Sequence, residues 1–443
     1  MRTRQMELCG WGRALTATVR AWRPERASAV TEVLRAARED GVIVHGGGRS
    51  YGDAPLNDGG DVVMTGRLDR IIAADWQTGE VACEAGVAVG ELMRIALEHG
   101  YAVPVSPGTG FATIGGCIAN DVHGKNHDRH GSFCDHVDWI DLALPDGAVR
   151  RITPDADEDL FAATVGGIGL TGIMLAAGLK LRPVPSNAVD MTETPARDLE
   201  AFLEMQEASR DRHTYVVGWI DATARGRRLG RGILETADDS QSAVTAPPRR
   251  RRRMPVEMPG FAMNRLSVGL FNALYYHRVP GRGRTRRVPL AQFLYPLDAI
   301  EDWNRLYGKR GFYQFQCVLP DAEAPAGLRK ILAEIAGAGR GSFLAVLKTL
   351  GGEGRGHLSF PLRGYTLALD FPAKPGVTEL LGRLERLTLD HGGRIYLAKD
   401  GAMTPQSFAT MYPRLDEFRA VLETVDPDRV MDSSMARRLK IRG

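Results

Sequence analysis

No stretch of about 18 apolar residues occurs anywhere in the 443-residue chain, so no segment has the length and hydrophobicity of a membrane-crossing helix. The opening residues, MRTRQMELCGWGRALTATVRAW, also lack an apolar run of leader length, because Glu7, Gly10, Gly12 and Arg13 interrupt them. The expectation is a protein without a signal peptide, cytoplasmic or peripheral to the inner membrane. Cysteine is scarce: Cys9, Cys83, Cys117, Cys134 and Cys317 are odd in number and contain no Cys-x-x-Cys pair. That argues against a disulfide framework and a zinc ribbon and for reduced thiols. There is no internal repeat.

What is present describes a globular protein large enough for two domains, with 44% hydrophobic and 25% charged residues. Residues 27–40 have helical spacing, GVIVHGGG reads as a short buried strand running into glycines, and VGELMRIALEHGY as a helix ending at Gly100. VDWIDLALPDGAVRRIT reads as a hairpin turned at Asp146-Gly147, EDLFAATVGG as a helix with a glycine stop, and TGIMLAAGLKLRPV as a strand. From 186 to 394, strands such as TYVVGWID and YTLALDF alternate with helices such as VTELLGRLERLTLDHG. The pattern is α+β. The net charge of +3 hides a basic island: residues 249–287 hold eleven arginines against one acid, Glu257. Prolines crowd its core, TAPPRRRRRMPVEMPG, so a mobile basic loop is expected near 245–290.

Glycine carries the strongest signal. HGGGRSYGDAPLNDGG at 45–60 has the glycine spacing of a P-loop, but Asp53-Ala54 stands where Lys-Ser/Thr is needed, and a carboxylate would oppose the phosphate. GIGLTG at 167–172 matches G-x-G-x-x-G on its face, yet a helix precedes it and a strand follows, the reverse of the dinucleotide fingerprint. What remains is a backbone nest at Gly46, Gly47 and Gly48, with N–H groups free to converge on an anion, and a second at Pro107-Gly108-Thr109-Gly110 and Gly115-Gly116. Two nests suit a diphosphate. Either alone also suits a tight turn.

These nests, in this order, together with GWGR at 10–13, GRSYGD at 48–53, DVHGKNHDRHGSF at 121–133, DLFAATVGGIGLTGI at 159–173, FLYPLDAIEDWNRLYG at 293–308 and YLAKD at 396–400, resemble the vanillyl-alcohol-oxidase/p-cresol-methylhydroxylase family of FAD oxidases. The resemblance runs almost end to end, except for a poorly matching tract over about 186–283. It implies a two-domain FAD-binding oxidase fold: an FAD-binding domain over 1–185, a substrate domain over 186–394, and a segment 395–443 packing back on the first. By the same resemblance the FAD site comprises Gly46, Gly47, Gly48, Arg49, Ser50, Tyr51, Gly52, Asp53, Pro107, Gly108, Thr109, Gly110, Thr113, Gly116, His123, Gly124, Lys125, Asn126, Gly169, Ile173 and Tyr396. Catalytic roles fall to Lys399, His123 and Tyr51, and substrate contacts to Gln314, Gln316, Lys348, Thr366 and Lys399. Many relatives attach the flavin through a histidine where Arg49 stands here, so the FAD is expected to be noncovalent. Thr366 and Ala368 stand where, by the same resemblance, one member carries Asn and Cys.

The implied reaction is oxidation of the 2′-hydroxyl of a polyprenyl-phosphoryl-β-D-ribofuranose to the 2′-keto sugar. This is the first half of an epimerisation to the arabinose form for cell-envelope glycan synthesis, completed by a short-chain NAD(P)H-dependent reductase. The lipid tail implies contact with a membrane surface. Two alternatives are a sugar-alcohol or aldonolactone oxidase using O₂, and a polyanion-binding protein gripping its partner through the basic island. Poor aromatic interleaving in residues 249–253 disfavours nucleic acid. The imidazoles of His123, His127, His130 and His136 lack the glutamate of H-E-x-x-H, and Gly124 and Gly131 break a helix, so no metal site is expected.

Overall fold

The computed structural model describes residues 3–36, 40–245, 252–260 and 263–443. A four-stranded sheet is ordered Thr3–Cys9, Thr16–Trp22, Asp61–Met64, Val42–His45, antiparallel in its first pair and parallel in the rest. Residues 42–43 and 62–63 are fully buried, as strands covered on both faces should be. A five-stranded antiparallel sheet follows, in the order Ile71–Asp75, Glu80–Glu84, Ile173–Lys180, Val137–Ala143, Val149–Ile152. Its last hairpin turns where expected, with Gly147 at φ +81°. GIGLTG does lie between the helix Glu158–Thr164 and the strand Ile173–Lys180.

An eight-stranded antiparallel sheet is built from residues 188–395, ordered Arg284–Pro289, Ala188–Ala196, Gly232–Asp239, Tyr215–Ile220, Ala345–Leu350, Gly364–Pro372, Phe312–Pro320, Arg394–Ile395. The helices Leu199–Arg210, Ala324–Ala338 and Val377–Asp390 bury apolar stripes such as Leu328, Ile331, Ile335 and Leu380, Leu381, Leu384, which join its core. After this sheet the chain returns to the first one. Val42 and Asp432 exchange backbone hydrogen bonds with 430 and 42, and Ser434 N donates to Leu56 O.

The basic island needs correction. Residues 246–251, and with them Arg249, Arg250 and Arg251, lie outside the described residues. The remainder is not a loop, since it holds the helix Arg265–His277 and the strand Arg284–Pro289. The arginines there are largely neutralised by acids far away in sequence. Glu193, fully buried on the neighbouring strand, forms ion pairs with Arg278, Arg284 and Arg286, and Arg287 pairs with Asp190. Arg253 pairs with Asp302. A charge count over a sequence window misses partners supplied across a sheet.

Candidate active site

Between the glycine loops and the eight-stranded sheet lies a cavity of about 800 Å³. The strand Val42–His45 delivers the chain into Gly46-Gly47-Gly48, where Gly48 takes φ +63°. A Cβ on Gly47 would overlap the carbonyl oxygen of Phe111, and one on Gly46 would lie 2.5 Å from Thr113 Oγ1. The two nests are therefore packed directly on each other, which only glycine permits here. Thr113 caps the short helix Ile114–Ala119 by accepting from Gly116 N at 3.2 Å. Asp298 pins the second loop, accepting from Thr109 Oγ1 at 2.8 Å and Gly110 N at 2.7 Å.

Gly46, Gly47, Gly48, Arg49, Ser50, Tyr51, Pro107, Gly108, Thr109, Thr113, Gly116, His123, Gly124, Lys125, Gly169 and Tyr396 line this cavity, and so do Gln314, Gln316, Lys348 and Lys399. Six other expected site residues do not. Gly52 is required because Asp400 O occupies the place of its Cβ. Asp53 is paired with Arg438 at 2.8 Å, and Arg438 also holds Asp400 at 2.8 Å. Gly110 faces Asp298 and Gly90, and Asn126 is buried with its amide on Pro104 O. Ile173 is core. Thr366 sits behind Gln316, accepting from its Nε2 at 3.1 Å, and so orients that residue instead of lining the wall.

Three polar atoms on cavity-lining residues are buried without a protein partner: Arg49 Nε, Asn120 Oδ1 and His123 Nδ1. Buried polar atoms require hydrogen-bond partners, and a polar heterocycle laid along this wall would supply them. Gly108, with open space where its Cβ would be, and the paired nests leave backbone exposed for a diphosphate. The site thus fits FAD. Arg49 stacks its guanidinium 4.0 Å from the Trp11 ring and 4.7 Å from Phe111.

The opposite wall comes from one face of the large sheet. Gln314 and Gln316 are registered against Asp370 and Ala368, with Val346 and Lys348 on the adjoining strand. Gln316 Nε2 lies 3.0 Å from His123 Nε2. If the amide donates, the proton of the neutral imidazole sits on Nδ1, the unpartnered atom. Burial, together with the charges of Lys348, His127 and Lys399, holds His123 well below its ordinary pKa and therefore neutral. Lys348 is buried and donates to Gly124 O at 2.8 Å. Burial and repulsion from Lys125 and Lys399 pull it down to about 7. Lys399 is lowered to about 8 by burial, with Asp370 opposing. Lys125 is also lowered by burial and donates to Phe293 O at 2.5 Å.

Sequence reading missed Asp370. Burial raises its carboxyl to about 7 against the hydrogen bonds of Gln314, at 2.6 Å, and Tyr307, at 3.1 Å. The other imidazoles are engaged in loop packing: His127 with Ser132 Oγ and Gly351 N, and His136 with His130 O.

Residues 20–153 match the FAD binding domain family model, and residues 370–439 match the D-arabinono-1,4-lactone oxidase model. The chain is 40% identical to decaprenylphosphoryl-beta-D-ribose oxidase of Mycolicibacterium smegmatis, over 99% of this chain and 98% of that protein. It is 33% identical to an uncharacterised protein of the mprA 5′ region of Streptomyces coelicolor, over 80% of this chain and all of that one. L-gulonolactone oxidase of Mus musculus is 29% identical over 37% of each chain.

Proposed function

We propose that this chain, which belongs to the same family of FAD-dependent oxidoreductases as decaprenylphosphoryl-beta-D-ribose oxidase, oxidises the 2′-hydroxyl of a polyprenyl-phosphoryl-β-D-ribofuranose to the 2′-keto sugar. The observation carrying the substrate is the convergence of Lys125, Lys348 and Lys399 on one cavity. Lys125 and Lys399 lie close enough to Lys348 to lower its affinity for protons, and such a gathering of amines is costly for a neutral polyol site and apt for a phosphodiester.

FAD, when bound, supplies the two-electron acceptor for the carbinol hydride. The nests at 46–48 and 107–116 would hold it, with Asn120, His123 and Arg49 offering polar atoms along its length. The chain's own chemistry is positioning and proton handling. Lys348 and Lys125 hold the phosphate. Gln316, fixed by Thr366, keeps His123 oriented. Lys399, lowered to about 8, is neutral often enough near physiological pH to take the hydroxyl proton. Asp370 steadies that proton and fixes Gln314. The keto sugar then passes to a separate short-chain NAD(P)H-dependent reductase, whose hydride gives the arabinose configuration. With a prenyl tail on its substrate, the enzyme works as a peripheral protein at a membrane surface.

The match of residues 370–439 to D-arabinono-1,4-lactone oxidase favours an aldonolactone as the second reading. Anaerobic mixing separates the two: polyprenyl-phosphoryl ribose should bleach the flavin absorbance, and D-arabinono-1,4-lactone should not. Bleaching by the lactone alone would reverse the assignment.

A further inference from the structure

The helix Arg265–His277 buries Val268 and packs Tyr275 and Tyr276 inward, yet it also carries an apolar stripe on the outer face that a surface helix normally keeps polar. Asn272 is fully buried, its amide donating to Asp221 Oδ1 at 2.8 Å and to Ser342 O at 3.3 Å. Leu266, Leu270 and Leu274, spaced by four residues along one outer stripe, are 84%, 64% and 66% exposed. The described residues have eight exposed large apolar side chains, and six of them lie between 256 and 300. Four of the eight, Leu266, Leu270, Phe271 and Leu274, are on this one helix, a concentration unlike the scattered exposure of an ordinary surface.

The patch continues into the cavity. Phe271 and Ile300 are 44% and 39% exposed, and both also line the cavity, so they stand at its rim. From Phe271 an aromatic path leads inward: it stacks on Tyr275 at 5.8 Å, Tyr275 lies 4.7 Å from Trp219, and Phe343 meets Phe271 edge-on at 5.6 Å. Cations flank the stripe. Arg265 opens the helix and Arg282 follows it, both exposed and with no ion pair among the described residues.

We infer that this helix is the element by which the enzyme seats on an anionic bilayer: Leu266, Leu270 and Leu274 enter the acyl boundary, Arg265 and Arg282 meet the headgroups, and Phe271 and Tyr275 lead a prenyl chain into the cavity. The inference rests on the lipid-linked substrate proposed above. Apolar insertion with basic flanks is the chemistry of interfacial helices, and no helix among the described residues is long and apolar enough to span a membrane. A second copy of the chain on this face would cover the rim, whereas a bilayer presents its lipids to it.

The test uses FAD-loaded enzyme and substrate-free vesicles, so its outcome does not depend on which sugar is oxidised. Wild type should sediment with phosphatidylglycerol/phosphatidylcholine vesicles at low salt and less with phosphatidylcholine alone. The variant L266E/L270E/L274E should lose roughly tenfold or more of its vesicle partitioning, while its flavin content and melting temperature stay those of wild type. L266S/L274S, which adds no charge, should lose an intermediate amount. If wild type sediments no better than the triple variant, or proves to be a dimer that the triple variant splits, the inference is wrong.

Discussion

The ammonium of Lys399 lies 4.0 Å from the ring centroid of Tyr51, and Tyr51 N donates to Ala398 O at 2.9 Å. The tyrosine of GGGRSY and the lysine of YLAKD are thus held together by backbone and by a cation–π contact, although 348 positions separate them. The lysine cannot shift without the glycine loop shifting.

Lys399→Ala should therefore retain FAD and lose turnover. Removing the group that takes the hydroxyl proton costs about 3–5 kcal/mol in the transition state, or roughly a hundredfold to ten-thousandfold in rate. Stopped-flow flavin reduction checks it; a near-normal rate returns Lys399 to a packing role.

Acid or heat precipitation should release the flavin into the supernatant. Where the family resemblance implies a histidine that attaches the flavin, this chain has Arg49, whose guanidinium rests against Trp11 and Phe111 and cannot form a histidyl–flavin bond. Yellow colour remaining with the denatured chain would contradict this.

Binding of a short prenyl phosphodiester, whose own charge is constant over the range, should weaken as pH rises from 6 to 8. Lys348 is cationic below its pKa of about 7 and neutral above it, and only the cation attracts the anion. The dissociation constant, read from the flavin spectrum, should rise with pH in wild type. Lys348→Met should bind weakly at every pH, with a flattened profile.

How much of this was legible in sequence depends on whether the cause is local. Gly46, Gly47 and Gly48 announced a nest because backbone freedom is a property of the residues themselves. Gly52 looked identical on the page, yet it is glycine because Asp400 presses on it, a fact of long-range packing. Asp370 gave no signal, since a carboxylate in YTLALDF becomes unusual only when a strand from 312–320 sets Gln314 beside it. Arg278, Arg284, Arg286 and Arg287 misled for the same reason: their acids, Glu193 and Asp190, sit on a neighbouring strand about ninety residues upstream.

Arg438→Ala should destabilise the fold and loosen flavin. It leaves Asp53 and Asp400, 9% and 5% exposed at their side chains, without their shared cation. Removing one partner of a buried ion pair costs about 3–5 kcal/mol, and the partial exposure of Arg438 places the effect near the lower end. Chemical denaturation and the flavin:protein ratio report both effects; unchanged values would show the clamp to be dispensable.

The same clamp has a consequence during synthesis. Asp53 leaves the ribosome 385 residues ahead of Arg438, an interval of about 20–80 s at 5–20 residues per second. Until Arg438 emerges, Asp53 in the early glycine loop and Asp400, next to Lys399, both lack their shared counter-ion, and for most of that interval Lys399 itself has not been made. The nascent chain is thus unable to assemble a reactive oxidase before translation of the catalytic region is nearly finished.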